Sequence, residues 1–317
     1  MSGLVLNEND FNKSIKKCFE IFKSLGAKIH MQDIHRDMDI KKGTLYVVAT
    51  PIGNLEDITL RAIRILREVQ LIAVEDTRRT RKLLDAYQIH TPMTSLYEQI
   101  EGKKSGLIIS KMNAGADVAF VSDAGTPGVS DPGYVLINKA IENGIRIVPV
   151  PGVSAVITAL SVSGLPIGCF AFLGFLPPRS GKRKQLLSSL MDEKKTLVFY
   201  ESPKRLMASL CDIETVLGSR KVVVLRELTK VFEEIVRGTA GDIVDRLKGR
   251  AIKGEVTLVV AGKEKQIRFL PDDEIFARFE KLHQSSDLSQ RDIIEKLADE
   301  LEISRKKIYQ LVVNRHG

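Results

Sequence analysis

The sequence predicts an α/β protein of two domains, with a helical extension before them and a small helical module after them. One stretch carries most of that reading. The apolar run Ala119-Phe120-Val121 is followed by Ser122 to Gly133, SDAGTPGVSDPG, and then by the helix-like Tyr134-Val135-Leu136-Ile137. Glycines at 125, 128 and 133 and prolines at 127 and 132 suit neither a helix nor a strand interior. They make a tight loop with open backbone amides and carbonyls, and open α/β sheets bind ligands at such strand–loop–helix junctions. The second observation is repetition, because other apolar strands also end in small or acidic residues at what would be one rim. The third is length: 317 residues divide naturally into two cores.

Composition narrows the function classes. A formal net charge of +8 suits an anionic partner, RNA as readily as DNA. Cys18, Cys169 and Cys211 are too far apart for a metal site or a disulfide framework, which makes a reducing cytoplasm the default location. His30, His35, His90, His283 and His316 are equally scattered. No apolar run reaches membrane-spanning length, and the polar start MSGLVLNEND does not read as a signal peptide.

Residues 1–42 form the extension. Phe11, Ile15, Phe19, Phe22 and Leu25 fall at helical spacing, with Asp10 or Asn12 as the cap. The first domain, 43–157, opens with Leu45 to Ala49, a continuous apolar strand of the kind found in parallel sheets. It runs into Thr50 to Asp57 and a helix through Ala62, Ile65 and Leu66, without the G-x-G-x-x-G spacing of a dinucleotide site. Val69 to Val74 is the next strand, ending in Glu75-Asp76-Thr77-Arg78-Arg79. Such a cluster either caps a helix or lines a cleft. A helix followed by a short connection over 81–91, an edge strand from Pro92 to Leu96 and a helix from Ser105 to Ala114 lead to the strand Asp117–Val121. Ile145 to Val148 is a further strand, delivering Pro151-Gly152-Val153-Ser154-Ala155 to the rim.

The second domain, 158–262, follows the apolar helix that begins at Ala155. Cys169 to Gly174 opens it, and Phe175-Leu176 leads into Pro177-Pro178-Arg179-Ser180-Gly181-Lys182-Arg183-Lys184, a stiff entry to a mobile, positive loop. Phosphate contact and a solvated helix N-terminus are its two possible uses. Strands are expected at Lys195–Tyr200, Lys221–Leu225 and Gly254–Ala261, with helices near 205–216 and 240–248, the second entered through Val236-Arg237-Gly238-Thr239; hairpins in a mixed sheet stay open. In the module 263–317, Ser289 and Ser304 each cap a short helix, in the manner of a helix-turn-helix. Bases and acids balance between 286 and 315, which points to packing or RNA docking rather than to reading DNA.

The segments LYVVATPIGNLEDIT (45–59), IAVEDTRRT (72–80), VSDAGTPGVSDPGY (121–134), PVPGVSAVITALSVSGLP (149–166), FLGFLPPR (172–179), VFYESPKRL (198–206), VLRELTK (224–230) and GEVTLVV (254–260) together resemble a known family. It is the ribosomal small-subunit RNA ribose 2′-O-methyltransferases, which act on a cytidine of the decoding region and belong to the tetrapyrrole-methylase fold superfamily. The resemblance covers about residues 43–262 and implies a two-domain tetrapyrrole-methylase-like fold. It implies a homodimer, 16S ribosomal RNA in the small subunit as partner, and S-adenosyl-L-methionine bound between the domains. TPIGNLED replaces the glycine-rich first loop of porphyrin-modifying relatives. Family members often carry histidine and asparagine where this chain has Gln99 and Ile100, and histidine where it has Lys204, so a histidine base at either place is not available here.

On that resemblance the residues divide by role. A sulfonium cofactor brings an activated methyl group, so the protein supplies position, polarity and a path for one proton, and no metal is needed. Glu75, Glu201, Glu227 and Lys230 are the catalytic candidates, with Lys230 stabilising an oxyanion or, if burial lowers its pKa, acting as base. The cofactor candidates are Pro51, Asp123, Ala124, Gly125, Thr126, Pro127, Ser154, Ala155 and Tyr200. RNA contact falls to Asn54, Arg78, Arg179, Lys182, Arg183, Lys184 and Arg205. Two other readings compete: methylation of a tetrapyrrole or similar small acid, and a ribosome assembly factor without activity.

Overall fold

The computed structural model describes residues 41–264, 270–286, 288–301 and 303–316; the expected helix over 11–25 lies outside them. The chain divides after Ser154 into two compact units.

The first unit holds β1 (Thr44–Val48), β2 (Leu71–Val74), β3 (Met93–Ser95), β4 (Val118–Val121) and β5 (Arg146–Val150). Their order is β3-β2-β4-β1-β5 and every pairing is parallel. The helices are α1 (Leu60–Glu68), α2 (Thr77–Ala86), α3 (Glu98–Asn113) and α4 (Tyr134–Glu142). Strand alternation explains why they cover both faces. Ala119 and Val121 of β4 point into a core with Ala62, Leu66 and Leu84 of α1 and α2. Val118 and Phe120 point the other way, onto Ile108, Met112 and Leu136 of α3 and α4. Because the sheet is parallel, all five carboxyl ends open on one edge.

Helix α3 begins at Glu98, seven residues before the expected Ser105. Gly102 and Gly106 hide the start from a propensity reading. The fold holds the first turns through Glu101, a buried carboxylate that accepts hydrogen bonds from the Gly133, Val135 and Leu136 amides and so caps α4 from a distance.

The second unit begins with α5 (Ala155–Ser163) and continues through β6 (Phe170–Phe175), α6 (Ser180–Ser189), β7 (Thr196–Glu201), α7 (Leu206–Leu217), β8 (Lys221–Arg226), β9 (Glu234–Thr239), α8 (Ala240–Leu247) and β10 (Val256–Val260). The sheet order is β6-β7-β10-β8-β9. Only β6–β7 is parallel; the other pairs are antiparallel, so the sheet is mixed. β9 is a strand that the sequence reading took as the approach to a helix. It pairs with β8 from Lys221–Thr239 to Arg226–Glu234 as a hairpin, and its last residue, Thr239, caps α8. Three further helices, α9 (Asp272–Ser285), α10 (Gln290–Leu301) and α11 (Arg305–His316), share a separate core around Phe279, Ile293, Leu297 and Ile308.

Candidate active site

On the first unit the loops after β1, β4 and β5 are stitched together at the open edge. The Thr50 amide donates to the Gly125 carbonyl at 2.9 Å and the Gly125 amide donates back at 3.0 Å. Thr126 Oγ1 donates to the Val153 carbonyl at 3.2 Å, which brings the segments of Pro51, Ala124–Pro127 and Ser154 to one place. Gly125 has φ +78°, Gly128 +81° and Gly133 +128°, the left-handed region that side chains other than glycine rarely adopt. At Gly133 a Cβ would also fall 2.4 Å from the Phe120 ring. The sequence requirement for glycine is therefore conformational at 125 and both conformational and steric at 133.

Carboxylates crowd the same edge. Asp123 accepts from the Asp76 amide at 2.9 Å and pairs with Arg79 at 3.3 Å, while the Asp123 amide donates to Glu75. Burial raises the pKa of Glu75, and the charges of Asp123 and Asp131 add to that. Asp123 is raised by burial against the opposing pull of the Asp76 amide and Arg79. Asp131 is raised by burial and Asp123 despite a hydrogen bond from Ser122. A partly dehydrated cluster of negative charge at the open edge of a sheet is the kind of environment that function maintains against stability. Glu75→Gln is accordingly expected to stabilise the fold at neutral pH. The sign follows from linkage: a raised native pKa means that the folded chain binds the proton more tightly, so wild-type stability falls as pH rises through the window above the ordinary carboxylate value. Melting curves against pH should show the gain at neutral pH closing in acid; a gain that persists in acid would refute this origin.

On the second unit, β6, β7 and β8 run in the same direction and their ends share an edge with the starts of β9 and β10. Lys230 sits there between two carboxylates, 2.9 Å from Glu227 and 3.1 Å from Glu255. Burial disfavours its charge, but the two hydrogen bonds outweigh burial and raise its pKa. It is a stable cation and a hydrogen-bond donor, which removes the option of Lys230 as a base. Glu227 is held low: burial opposes ionisation, and Lys230 with the Glu255 amide overcomes it. The backbone around this group is strained, with φ +53° at Glu227 and +67° at the β-branched Thr229, whose buried Oγ1 has no hydrogen-bond partner among the described residues. Gly254 admits the Glu227 side chain, since a Cβ there would lie 2.2 Å from its carboxyl carbon. Tyr200 is wedged edge-on between Phe172 and Phe175, at 4.9 and 5.5 Å between ring centres.

Several expected site residues do other work. Arg183 is not an outward base: it is 2% exposed, its guanidinium bonded to Asp212 at 2.6 and 2.8 Å and to the Pro177 and Pro178 carbonyls. The expected mobile loop at 180–184 is the first turns of α6, pinned by that pair and by Ser180 on Asp212. Glu201 is likewise not at the surface; its buried carboxylate is saturated by the Ser202 amide, Arg205 and Ser209, so it holds β7 to α7 and cannot reach a substrate. Arg205 spends its guanidinium on that carboxylate. Arg179 and Lys182 are exposed, and Lys184 is partly so, at 3.4 Å from Asp212. Arg78 is exposed at the start of α2 and Asn54 caps the short turn Leu55–Asp57. Ser154 ends the first unit and Ala155 opens α5. Removing one partner of a buried ion pair strands the other, so Arg183→Ala should cost about 3–5 kcal/mol in urea unfolding; a loss below about 1 kcal/mol would show that the pair is dispensable.

Comparison with known proteins gives the family. The family profile of Tetrapyrrole (Corrin/Porphyrin) Methylases matches residues 44–244, which hold the first sheet and β6 to β9 of the second. The chain is 48% identical over 226 residues to Ribosomal RNA small subunit methyltransferase I of Halalkalibacterium halodurans, covering 71% of this chain and 78% of that one. It is 42% identical over 270 residues to the protein of that name from Synechocystis, covering 85% and 97%. The chain belongs to the ribosomal RNA small subunit methyltransferase I family. It is a methyltransferase of the tetrapyrrole-methylase superfamily. A uroporphyrin-III-C-methyltransferase from Thermus thermophilus shares the fold, with a TM-score of 0.51 and 21% identity over 69% of this chain and 94% of that one.

For a member of this family, the residues that sequence reasoning missed are Asp131, Thr229 and Glu255. Asp131 was legible as the second Asp in the Gly-rich loop, whereas Glu255 meets Lys230 only through the β8–β10 pairing. The strain at Thr229 has no sequence signal.

Proposed function

We propose that this methyltransferase uses S-adenosyl-L-methionine to methylate the ribose 2′-oxygen of a cytidine in the decoding region of 16S ribosomal RNA. The observation that carries the reading is 42–48% identity, over 71–85% of the chain, to proteins named as small-subunit ribosomal RNA methyltransferases. The first unit's edge fits a cationic cofactor: glycines at positive φ keep side chains away from the backbone, and Glu75, Asp123 and Asp131 supply negative charge. Pro51, Asp123–Pro127 and Ser154 would hold it. When bound, the sulfonium supplies a methyl group with a neutral leaving group. The ribose hydroxyl would give up its proton to solvent as its oxygen takes the methyl group. Lys230, kept charged by Glu227 and Glu255, donates a hydrogen bond to the oxygen as negative charge develops. Glu227 stays ionised and orients the ammonium; Glu75 has the greater proton affinity of the two. Arg78, Arg179, Lys182 and Lys184 supply positive charge for RNA phosphates. A homodimer and a cytoplasmic location belong to the same proposal. Among the described residues no helix is long and apolar enough to cross a membrane.

The test is incubation with labelled S-adenosylmethionine and either small ribosomal subunits or porphyrinoid acids. Label in the ribose of one rRNA cytidine is expected; label only in the pigment would overturn the proposal.

A further inference from the structure

The helices α10 and α11 enclose a cleft of about 410 Å³. Its floor is Ile294, its wall is Tyr309, and Arg291, Arg305 and Lys306 stand at its rim. Over the whole module the charges balance, but they are segregated: α11 carries Arg305, Lys306, Lys307 and Arg315 and no acid. Most of these are already used. Lys307 pairs with Asp272, Arg315 with Asp273, and Arg305 with Glu295 inside the cleft. Arg291 and Lys306 make no ion pair with any described residue, so the cleft has a net positive rim. Ser289 and Ser304 already cap the two helices, so the attraction for an anion comes from the side chains. Tyr309 is 58% exposed, although its neighbours Ile308 and Val312 are buried in the helical core. An exposed aromatic face flanked by unpaired cations suits an unstacked nucleotide: the ring stacks on the base and the cations meet the phosphates.

We propose that the α10–α11 cleft binds a single-stranded segment of ribosomal RNA, with Tyr309 stacked on a base and Arg291 and Lys306 on the flanking phosphates. The inference rests on the RNA reading above and adds a second contact on a module with its own core. Its volume exceeds what one water-filled crevice needs and suits one base. The three-helix core around Phe279 and Ile308 gives the cleft a rigid frame.

The experiment uses the full chain and three variants, Tyr309→Ala, Tyr309→Phe and Arg291→Ala/Lys306→Ala. Each is titrated with protein-free small-subunit rRNA at several salt concentrations, and each is assayed for methyl transfer to small subunits. Tyr309→Ala should weaken rRNA binding about 10-fold, and Tyr309→Phe should stay within about twofold of wild type. The double variant should weaken binding about 10-fold and flatten the log K against log salt slope by roughly 1.5. KM for the subunit should rise while kcat, S-adenosylmethionine affinity and melting temperature hold. Unchanged rRNA affinity and salt slope, with methyl transfer intact, would overturn the cleft proposal alone. Weakened binding to whole subunits with unchanged binding to protein-free rRNA would also overturn it, by assigning the cleft to a ribosomal protein. Wild-type protein that transfers no methyl group to subunits would instead remove the reading on which it rests.

Discussion

Lys230→Met is expected to slow methyl transfer by about 10²–10³-fold, the usual loss when one donor to a developing oxyanion is removed. The effect should fall on kcat, because the hydrogen bond strengthens only as the ribose oxygen gains charge. S-adenosylmethionine affinity should stay within about twofold. Lys230→Arg separates charge from geometry: a planar guanidinium keeps the pairing with Glu227 and Glu255 but places its donors elsewhere, so it should retain the melting temperature and recover only part of the rate. Single-turnover assays on small subunits would measure both. A Lys230→Met rate within about threefold of wild type would assign the Glu227–Lys230–Glu255 group to holding the β8–β9 turn. Because Lys230 is raised above its ordinary pKa, its charge persists throughout the physiological range, and no loss of activity near neutral pH should trace to it.

Gly125→Val is expected to weaken S-adenosylmethionine binding by at least about 100-fold while the sheet stays folded. Space is not the reason: a Cβ at 125 would lie 3.4 Å from Ile52 Cγ2, an ordinary contact. The backbone is the reason. At φ +78° a β-branched residue is strained by roughly 1–3 kcal/mol, and the loop can relieve this only by giving up the paired hydrogen bonds to Thr50. That moves Asp123 and Thr126, the segment proposed to line the cofactor. Calorimetric titration with S-adenosylmethionine and circular dichroism test the two halves together. Wild-type affinity with a normal spectrum would show that the loop only connects β4 to α4.

The edge of the first unit was largely legible in sequence. Leu45–Ala49 and Ala119–Val121 are uninterrupted apolar runs, which only a strand buried on both faces requires, and the glycines after β4 announce a backbone that side chains would obstruct. The RELTK segment announced that Glu227 and Lys230 lie close, because they are near in the chain. Arg183 misled because its chain neighbours are basic and exposed. Its partner Asp212 lies 29 residues away, and the two meet only when α6 packs against α7. Glu201 misled similarly: a strand-end acid looks catalytic until Arg205 and Ser209 are seen to enclose it.

The sequence by itself determined the parallel sheet, the strand ends that form its working edge, and the glycines that its loops require, because periodicity and backbone sterics are local properties. Tertiary structure alone decided which charges remain available. It placed Arg183 and Glu201 inside and set Glu255 against Lys230. It also left Arg291 and Lys306 beside Tyr309 without an ion-pair partner among the described residues. A charged side chain has no fixed role until packing sets its distance from water and from the opposite charge, and those distances join residues far apart in the chain.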